Sequence, residues 1–253
     1  MSVLKDAYRA LRAAIYRSLC NCCGTPLNAT CSAKHLIIIA PHPDDEAIGC
    51  AQLIAKTKEE GGHVSVVFLT NGEQAHCHCC NIELTEVARR RHMLSDQIDK
   101  QLLHVDNIVR MKWSDGKLPV EKSELEICAS QLADHVRKLK EQYQDETSTL
   151  LAPHHEEGWS DHWSANQVAQ QVAQRLNLPL LNYCVWLWLS MPYNKMWQCR
   201  WRNVHYVSGY ITTKRQALIA YQETAPCGKP WVGLLPRVVW RAANSKREYY
   251  FCV

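Results

Sequence analysis

No stretch of the 253-residue chain approaches the roughly 18 uninterrupted apolar residues that suggest a membrane-spanning helix. The longest apolar run, around Cys184 to Leu189, is short enough to be strand or core. The N-terminus lacks an apolar signal segment with a small-residue cleavage site, so the expected compartment is the reducing cytoplasm, with the thirteen cysteines as thiols. No helix-turn-helix, zinc-finger or RNP pattern occurs and the formal charge is a mild +4, so no nucleic-acid partner is expected. No G-x-G-x-x-G follows either of the first two predicted strands, which disfavours a dinucleotide-binding protein. Internal repeats and low-complexity segments are also absent. These exclusions leave a chain long enough for one substantial domain with its own core.

What is present centres on His35 to Glu46, reading HLIIIAPHPDDE. Leu36 to Ala40 is apolar and rich in β-branched Ile, which suits a strand buried on both faces. Pro41 and Pro43 cannot donate ladder hydrogen bonds, so the strand must give way to a loop carrying His42, Asp44, Asp45 and Glu46. A helical pattern follows. Further strands are predicted at His63–Thr70, Asn107–Trp113, Thr147–Ala152 and Leu178–Leu189, with helices between them. Strands alternating with helices predict an α/β sandwich around a mostly parallel sheet, whose carboxyl edge is where such folds build their sites. The Trp-rich tail from Ser190 reads as a C-terminal extension over the sheet, with a strand at Val204–Ile211 and a helix at Thr213–Gln222.

Residues 1–34 form a separate opening segment, an amphipathic helix to about residue 19 and then a polar linker, ahead of a single domain over 35–253. The helix places Val3, Leu4, Ala7, Leu11, Ala14 and Ile15 on one stripe, with Lys5, Arg9, Arg12 and Arg17 on or beside the other. It can pack on the domain, or rest as a basic amphipathic helix on an anionic membrane surface; the second reading would add the inner face of a membrane to the cytoplasmic expectation.

Two imidazoles and a carboxylate, His42 and Asp45 from the first strand end and His162 from the fourth, leave a zinc ion an open position for water. That ligand set is hydrolytic in character, and Asp44 beside it would be free to act as general base. Each feature alone is weak, since Asp44, Asp45 or Glu46 could simply cap the following helix. The whole string is more specific. IIIAPHPDDEAIGC resembles the first signature of the PIG-L/LmbE-type zinc-dependent N-acetylglucosaminyl deacetylases, and Ser160-Asp161-His162 resembles the end of that family's His-x-Asp-His signature. Thr-Asn-Gly-Glu at the second strand end, Arg89 to Arg91, Asp115-Gly116 and Lys214 to Gln222 extend the likeness.

The resemblance implies a Rossmann-like, LmbE-like three-layer fold and hydrolysis of the N-acetyl group of a GlcNAc-containing substrate. One Zn2+, or another divalent ion such as iron, would be held by His42, Asp45 and His162, with Asp44 as the catalytic base. Arg89, or its neighbour Arg90 or Arg91, and Asp115 would contact the sugar. The chain departs from the pattern at Trp159, where the family has an oxyanion-stabilising His oriented by the residue matching Asp161. Losing an oxyanion donor costs roughly 10²–10³ in turnover. His154 and His155 are the nearest replacements; otherwise the metal carries the oxyanion alone, or the chain is a catalytically impaired sugar-binding or scaffold protein. Two cysteine-rich runs, Cys20-Asn21-Cys22-Cys23 with Cys31 and His76-Cys77-His78-Cys79-Cys80, stand outside this pattern. Their spacing is cramped for a single tetrahedral centre, so they read as surface thiols, as a structural metal joining the two runs, or as a disulfide.

Overall fold

A computed structural model describes residues 2–27, 34–77, 81–143, 147–196, 199 and 201–252. The chain opens with helix α1 (Ser2–Cys23) and a short strand β1 (Thr25–Pro26), and the strand carrying the motif is β2 (His35–Ala40). There follow α2 (Asp45–Glu59), β3 (His63–Thr70), a single 3₁₀ turn at Glu73–His76, α3 (Leu84–Gln101), β4 (Asn107–Trp113), α4 (Lys122–Tyr143), β5 (Ser148–Pro153), α5 (Ser160–Leu176) and β6 (Leu180–Tyr183). The C-terminal part contains α6 (Leu187–Ser190), α7 (Tyr193–Met196), β7 (Val204–Ser208), α8 (Ile211–Ala220), α9 (Arg237–Ala243) and β8 (Arg247–Cys252).

The strands form one sheet in the order β1-β7-β8-β6-β5-β2-β3-β4. β4, β3, β2, β5 and β6 are mutually parallel, whereas β8 runs antiparallel to both β6 and β7. Sequence reasoning has the parallel strands right and misses β8, whose insertion joins the tail to the main sheet. β2 is buried along its whole length and its side chains alternate. Leu36, Ile38 and Ala40 meet α2, α3 and α8 on one face, while Ile37 and Ile39 meet α4 and α5 on the other. Those two cores are the three-layer sandwich expected from the alternation. The chain leaves β2 toward β3 and β4 on one side and returns at β5 and β6 on the other. The carboxyl ends of β2 and β5 therefore flank the point where strand order reverses, the place an open α/β sheet reserves for ligands.

A third apolar cluster fastens the tail. Ala13, Tyr16 and Cys20 of α1 pack with Leu187, Trp188, Met191, Tyr249 and Phe251, and the Tyr16 hydroxyl donates to the Met191 carbonyl at 2.6 Å. The buried stripe of α1 is thus not the predicted one: Ala7, Leu11 and Ala14 face outward and Leu11 is 60% exposed. α1 also runs on through Cys20, Cys22 and Cys23, positions predicted as linker, while Cys31 lies outside the described residues. β6 stops at Tyr183 rather than continuing to Leu189. The Glu157 carboxylate accepts the backbone N–H groups of Val185, Trp186 and Leu187 and turns the chain there into α6. No helix among the described residues is long and apolar enough to cross a membrane.

Candidate active site

The loop after β2 is tied to β3 at its start and braced by the Glu46 side chain at its end. Pro41 offers its carbonyl to the Thr70 N–H at 3.0 Å and to the Thr70 hydroxyl at 2.8 Å, which stitches the motif loop to the end of β3. Asp44 then takes a φ of 134°, a backbone conformation that L-residues rarely adopt and that tends to mark functional positions. Its amide donates to Glu46 Oε2 at 3.0 Å, and Glu46 Oε1 in turn accepts the Tyr221 hydroxyl at 2.6 Å. Burial pushes the Glu46 carboxyl up to about 7. Glu46 braces the loop from behind, and the Lys214 to Gln222 stretch contributes through Tyr221.

Asp44 occupies the position that caps α2, yet its carboxylate makes no capping bond. It faces Arg91 instead. The Arg91 guanidinium donates to the carbonyls of Gly72 at 2.9 Å and Pro43 at 2.7 Å and to Asp44 Oδ1 at 3.2 Å. Gly72, at φ 65°, is required there because a Cβ would lie 2.3 Å from the guanidinium. Burial raises the Asp44 carboxyl well above its ordinary range against the opposing pull of Arg91. Arg89, the expected substrate contact, is not brought to the site: its side chain is about half exposed and is paired with Glu86. Arg91 is the buried member of the trio.

His42, Asp45 and His162 converge. Asp45 Oδ2 lies 3.3 Å from His42 Nδ1 and 3.5 Å from His162 Nε2, and the two imidazole centroids are 5.4 Å apart. Tetrahedral zinc with bonds of about 2.0–2.2 Å separates its ligand atoms by about 3.3–3.5 Å, so these three donors fit one ion. Each imidazole also has a carboxylate behind it, as metal-ligating histidines require. His42 Nε2 is 3.0 Å from Asp115 Oδ1, and His162 Nδ1, a buried nitrogen with no hydrogen bond within normal geometry, is 3.5 Å from Glu157 Oε2. Burial works against ionisation of Asp45, but His162 and His42 outweigh it and hold this carboxyl below its usual range. A second grouping, His42 with Asp115 and Asp161, is also close enough to surround an ion. Its carboxylates also hold the loop backbone: Asp115 Oδ2 accepts the Gln74 N–H at 2.7 Å, and Asp161 accepts Gly116 at 2.7 Å and Leu118 at 3.2 Å, as Asp45 Oδ2 accepts the His42 N–H at 2.9 Å. Asp115 and Asp161 therefore orient His42 and pin the 115–118 loop. Glu157 is the positioning residue that sequence reasoning misses.

His154 and His155, named as replacements for the missing oxyanion donor, do not serve the site. They stack on each other and, with Asn182, Lys195 and Phe251, line a separate cavity of about 440 Å³ that His42, Asp45 and His162 do not line. Trp159 is 54% exposed with its ring 5.3 Å from that of Trp186. Burial, with a smaller contribution from His155, lowers the His154 imidazole to about 3. Between its ordinary value near 6.5 and about 3 the unfolded chain takes a proton there that the folded chain refuses, so stability falls as pH drops below 6.5. Relative to His154→Asn, the wild type is expected to lose about 2 kcal/mol between pH 6.5 and 5. Urea unfolding of both proteins at the two pH values checks this; parallel losses would contradict it.

The fold and part of the sequence are shared with known proteins. Over 45 residues the chain is 42% identical to 1D-myo-inositol 2-acetamido-2-deoxy-alpha-D-glucopyranoside deacetylase of Salinispora arenicola, a match spanning 18% of this chain and 15% of that protein. N,N'-diacetylchitobiose deacetylase from Pyrococcus horikoshii superposes with a TM-score of 0.61 at 17% identity, covering 87% of this chain and 84% of its own. The 4-carboxy-2-hydroxymuconate hydratase GalB from Pseudomonas putida KT2440 does nearly as well, with a TM-score of 0.59 at 15% identity over 86% of this chain and 94% of its own. Residues 37–173, more than half of the sequence and the part that contributes His42, Asp44, Asp45 and His162, match the model of the PIG-L family, and the chain belongs to that family of GlcNAc-PI de-N-acetylases.

Proposed function

We propose that this protein is a zinc-dependent hydrolase that removes the N-acetyl group from a GlcNAc-containing substrate, releasing acetate and a free amine. The observation that carries the reading is the convergence of His42, Asp45 and His162 on one ion-sized space with the non-ligand carboxylate of Asp44 held beside it. The fold alone does not choose the reaction, because a hydratase shares it. The family description and the amino-sugar deacetylases among the similar proteins supply the substrate class.

Zinc bound by these three side chains would supply a Lewis acid for the amide carbonyl and acidify water. The chain's own residues handle the proton. Arg91 holds Asp44 Oδ1 and fixes the plane of the carboxylate, so Oδ2 takes the proton from the attacking water and delivers it to the nitrogen as the C–N bond breaks. Asp115 Oδ1, 3.0 Å from His42 Nε2, would hold the proton on that nitrogen and leave Nδ1 facing Asp45, while Glu157 stands behind His162 Nδ1 at 3.5 Å.

His162→Ala is expected to contain one equivalent of zinc less than the wild type, measured by elemental analysis of tag-free protein. Acetate release from N-acetylglucosamine conjugates should disappear with it. Equal zinc in both proteins would remove His162 from the site. The binding-only reading rests on Trp159, an exposed indole where the family signature has an imidazole. Full zinc content with no acetate released from any such conjugate would favour it.

A further inference from the structure

Of the two cysteine-rich runs, Cys20 packs in the third apolar cluster, while His78, Cys79 and Cys80 lie outside the described residues. The feature that the mechanism leaves unused is the cavity lined by His154. Its volume of about 440 Å³ falls in the range of small-molecule sites, roughly 300–1,000 Å³. His154, directly after β5, and Asn182 of β6 both line it and are only 5% and 3% exposed. The Glu156 N–H donates to His154 Nδ1 at 3.1 Å, so in the neutral ring the proton sits on Nε2. Burial holds this imidazole down at about 3, so it stays uncharged at neutral pH.

The amide orientations follow from one carbonyl. Asn166 Nδ2 donates to the Pro153 carbonyl at 2.7 Å, which can only accept, so the other side-chain atom of Asn166 is its oxygen. The same Nδ2 donates to Asn182 Oδ1 at 2.8 Å, which leaves Asn182 Nδ2 as a free donor. Asn166 Oδ1 accepts from Gln170 Nε2 at 2.6 Å, which leaves Gln170 Oε1 as a free acceptor. His154 Nε2 and Asn182 Nδ2 have no partner among the described residues, and neither is sealed inside the protein, so both open onto the cavity that their residues line. Gln170 lines it too, and the buried side chains of Met191 and Phe251 supply apolar wall. The two charged lining residues, Lys195 and Glu156, pair with each other at 3.3 Å.

These groups select a ligand by charge and by hydrogen bonding. A carboxylate can accept from the two nitrogens but gives nothing to Gln170, and the only lining cation is already paired with Glu156. An ammonium meets two N–H donors, and a purely apolar molecule strands both of them. A hydroxyl accepts and donates at once. We propose that this cavity is a second binding site, for an uncharged hydroxyl-rich molecule of sugar-ring size, held by His154 Nε2, Asn182 Nδ2 and Gln170 Oε1. Ligand oxygens accept from the two nitrogens, a ligand hydroxyl donates to the glutamine, and the carbon framework lies on Met191 and Phe251. The site shares the 154–157 turn with the hydrolytic centre, because the Glu157 N–H donates to the His154 carbonyl at 3.1 Å and Glu157 stands behind His162.

The test uses the full-length, tag-free protein with D-glucose as the probe, since glucose has no acetyl group to lose. The imidazole nitrogen signals of His154, assigned by their absence from His154→Asn, are expected to shift saturably as glucose is added. The shift should persist in His162→Ala, which separates this site from the hydrolytic one. Sodium acetate and inorganic phosphate at the same concentrations should leave the signals in place. Asn182→Asp keeps the oxygen that accepts from Asn166 and loses the donor, so half-saturation should rise roughly tenfold. Crystals of the wild type soaked in glucose require no variant, and sugar oxygens within hydrogen-bond distance of His154 Nε2 and Asn182 Nδ2 are expected. Water alone in the cavity of soaked crystals, His154 signals that glucose does not move, or an equal shift with acetate would overturn the assignment.

Discussion

Asp44→Asn is expected to lower the rate of acetate release by roughly 10²–10⁴ while leaving zinc content unchanged. Asparagine keeps the size of the side chain and an oxygen for the Arg91 guanidinium, which reaches Asp44 Oδ1 at 3.2 Å. What it loses is the ability to take up a proton at Oδ2. Because Asp44 is not one of the three ligands, the substitution separates proton transfer from metal binding, which His162→Ala cannot do. The corresponding rise in barrier is about 2.7–5.5 kcal/mol. Asp44→Ala is a poorer probe, since it also leaves the buried Arg91 without its carboxylate. The measurement is acetate release at saturating substrate together with zinc content for both proteins. Turnover within tenfold of wild type in Asp44→Asn would remove Asp44 as the base.

The geometry around Asp44 shows how far the amino-acid pattern reaches. His42, Asp45 and His162 are legible because local chain chemistry presents them: two prolines end a buried strand, and His162 lies in the first turn of the helix after another. Arg91 was also within reach. Val87, Leu94 and Ile98 mark the buried stripe of α3, and Arg91 falls on it, four residues after Val87, whereas Arg89 falls on the opposite side. Helical periodicity, weighed across the three arginines, points to the buried one that meets Asp44. Glu157 was out of reach. Its role depends on three backbone N–H groups some thirty residues further along, which also explains why the apolar run Cys184 to Leu189 leaves the sheet. His154 and His155 were misplaced for the converse reason. Nearness to His162 in sequence does not survive the turn between β5 and α5, which sends the two imidazoles to the β8 side, where His154 meets Phe251.

Lys214→Met is expected to destabilise the protein by about 3–5 kcal/mol, because it would leave a buried carboxylate without its cation. Lys214 and Glu248 are both buried, with Nζ 2.5 Å from Oε1. Lys214 also donates to the Ile48 carbonyl at 2.6 Å, and Glu248 accepts the Tyr250 hydroxyl at 2.6 Å and the N–H groups of Gln52 and Leu53 at 3.0 and 3.1 Å. In an uninterrupted helix the Gln52 N–H would pair with Ile48 and the Leu53 N–H with Gly49. The buried pair is therefore inserted at the α2 ladder one turn beyond Asp45, with Gly49 allowing Tyr183 to approach so closely that a Cβ would sit 2.3 Å from its ring. This arrangement locks β8 to the helix that begins at Asp45. For a chain of this size the loss corresponds to a fall in melting temperature of roughly 6–20 °C. The double variant Lys214→Met/Glu248→Gln should recover a large part of it, because the remaining amide oxygen still accepts from α2 and no charge is stranded. Urea unfolding of the two single variants and the double variant closes the cycle. If the double variant lost the sum of the single losses, the two side chains would be acting independently and the ion pair would not be the element that holds α2 to β8.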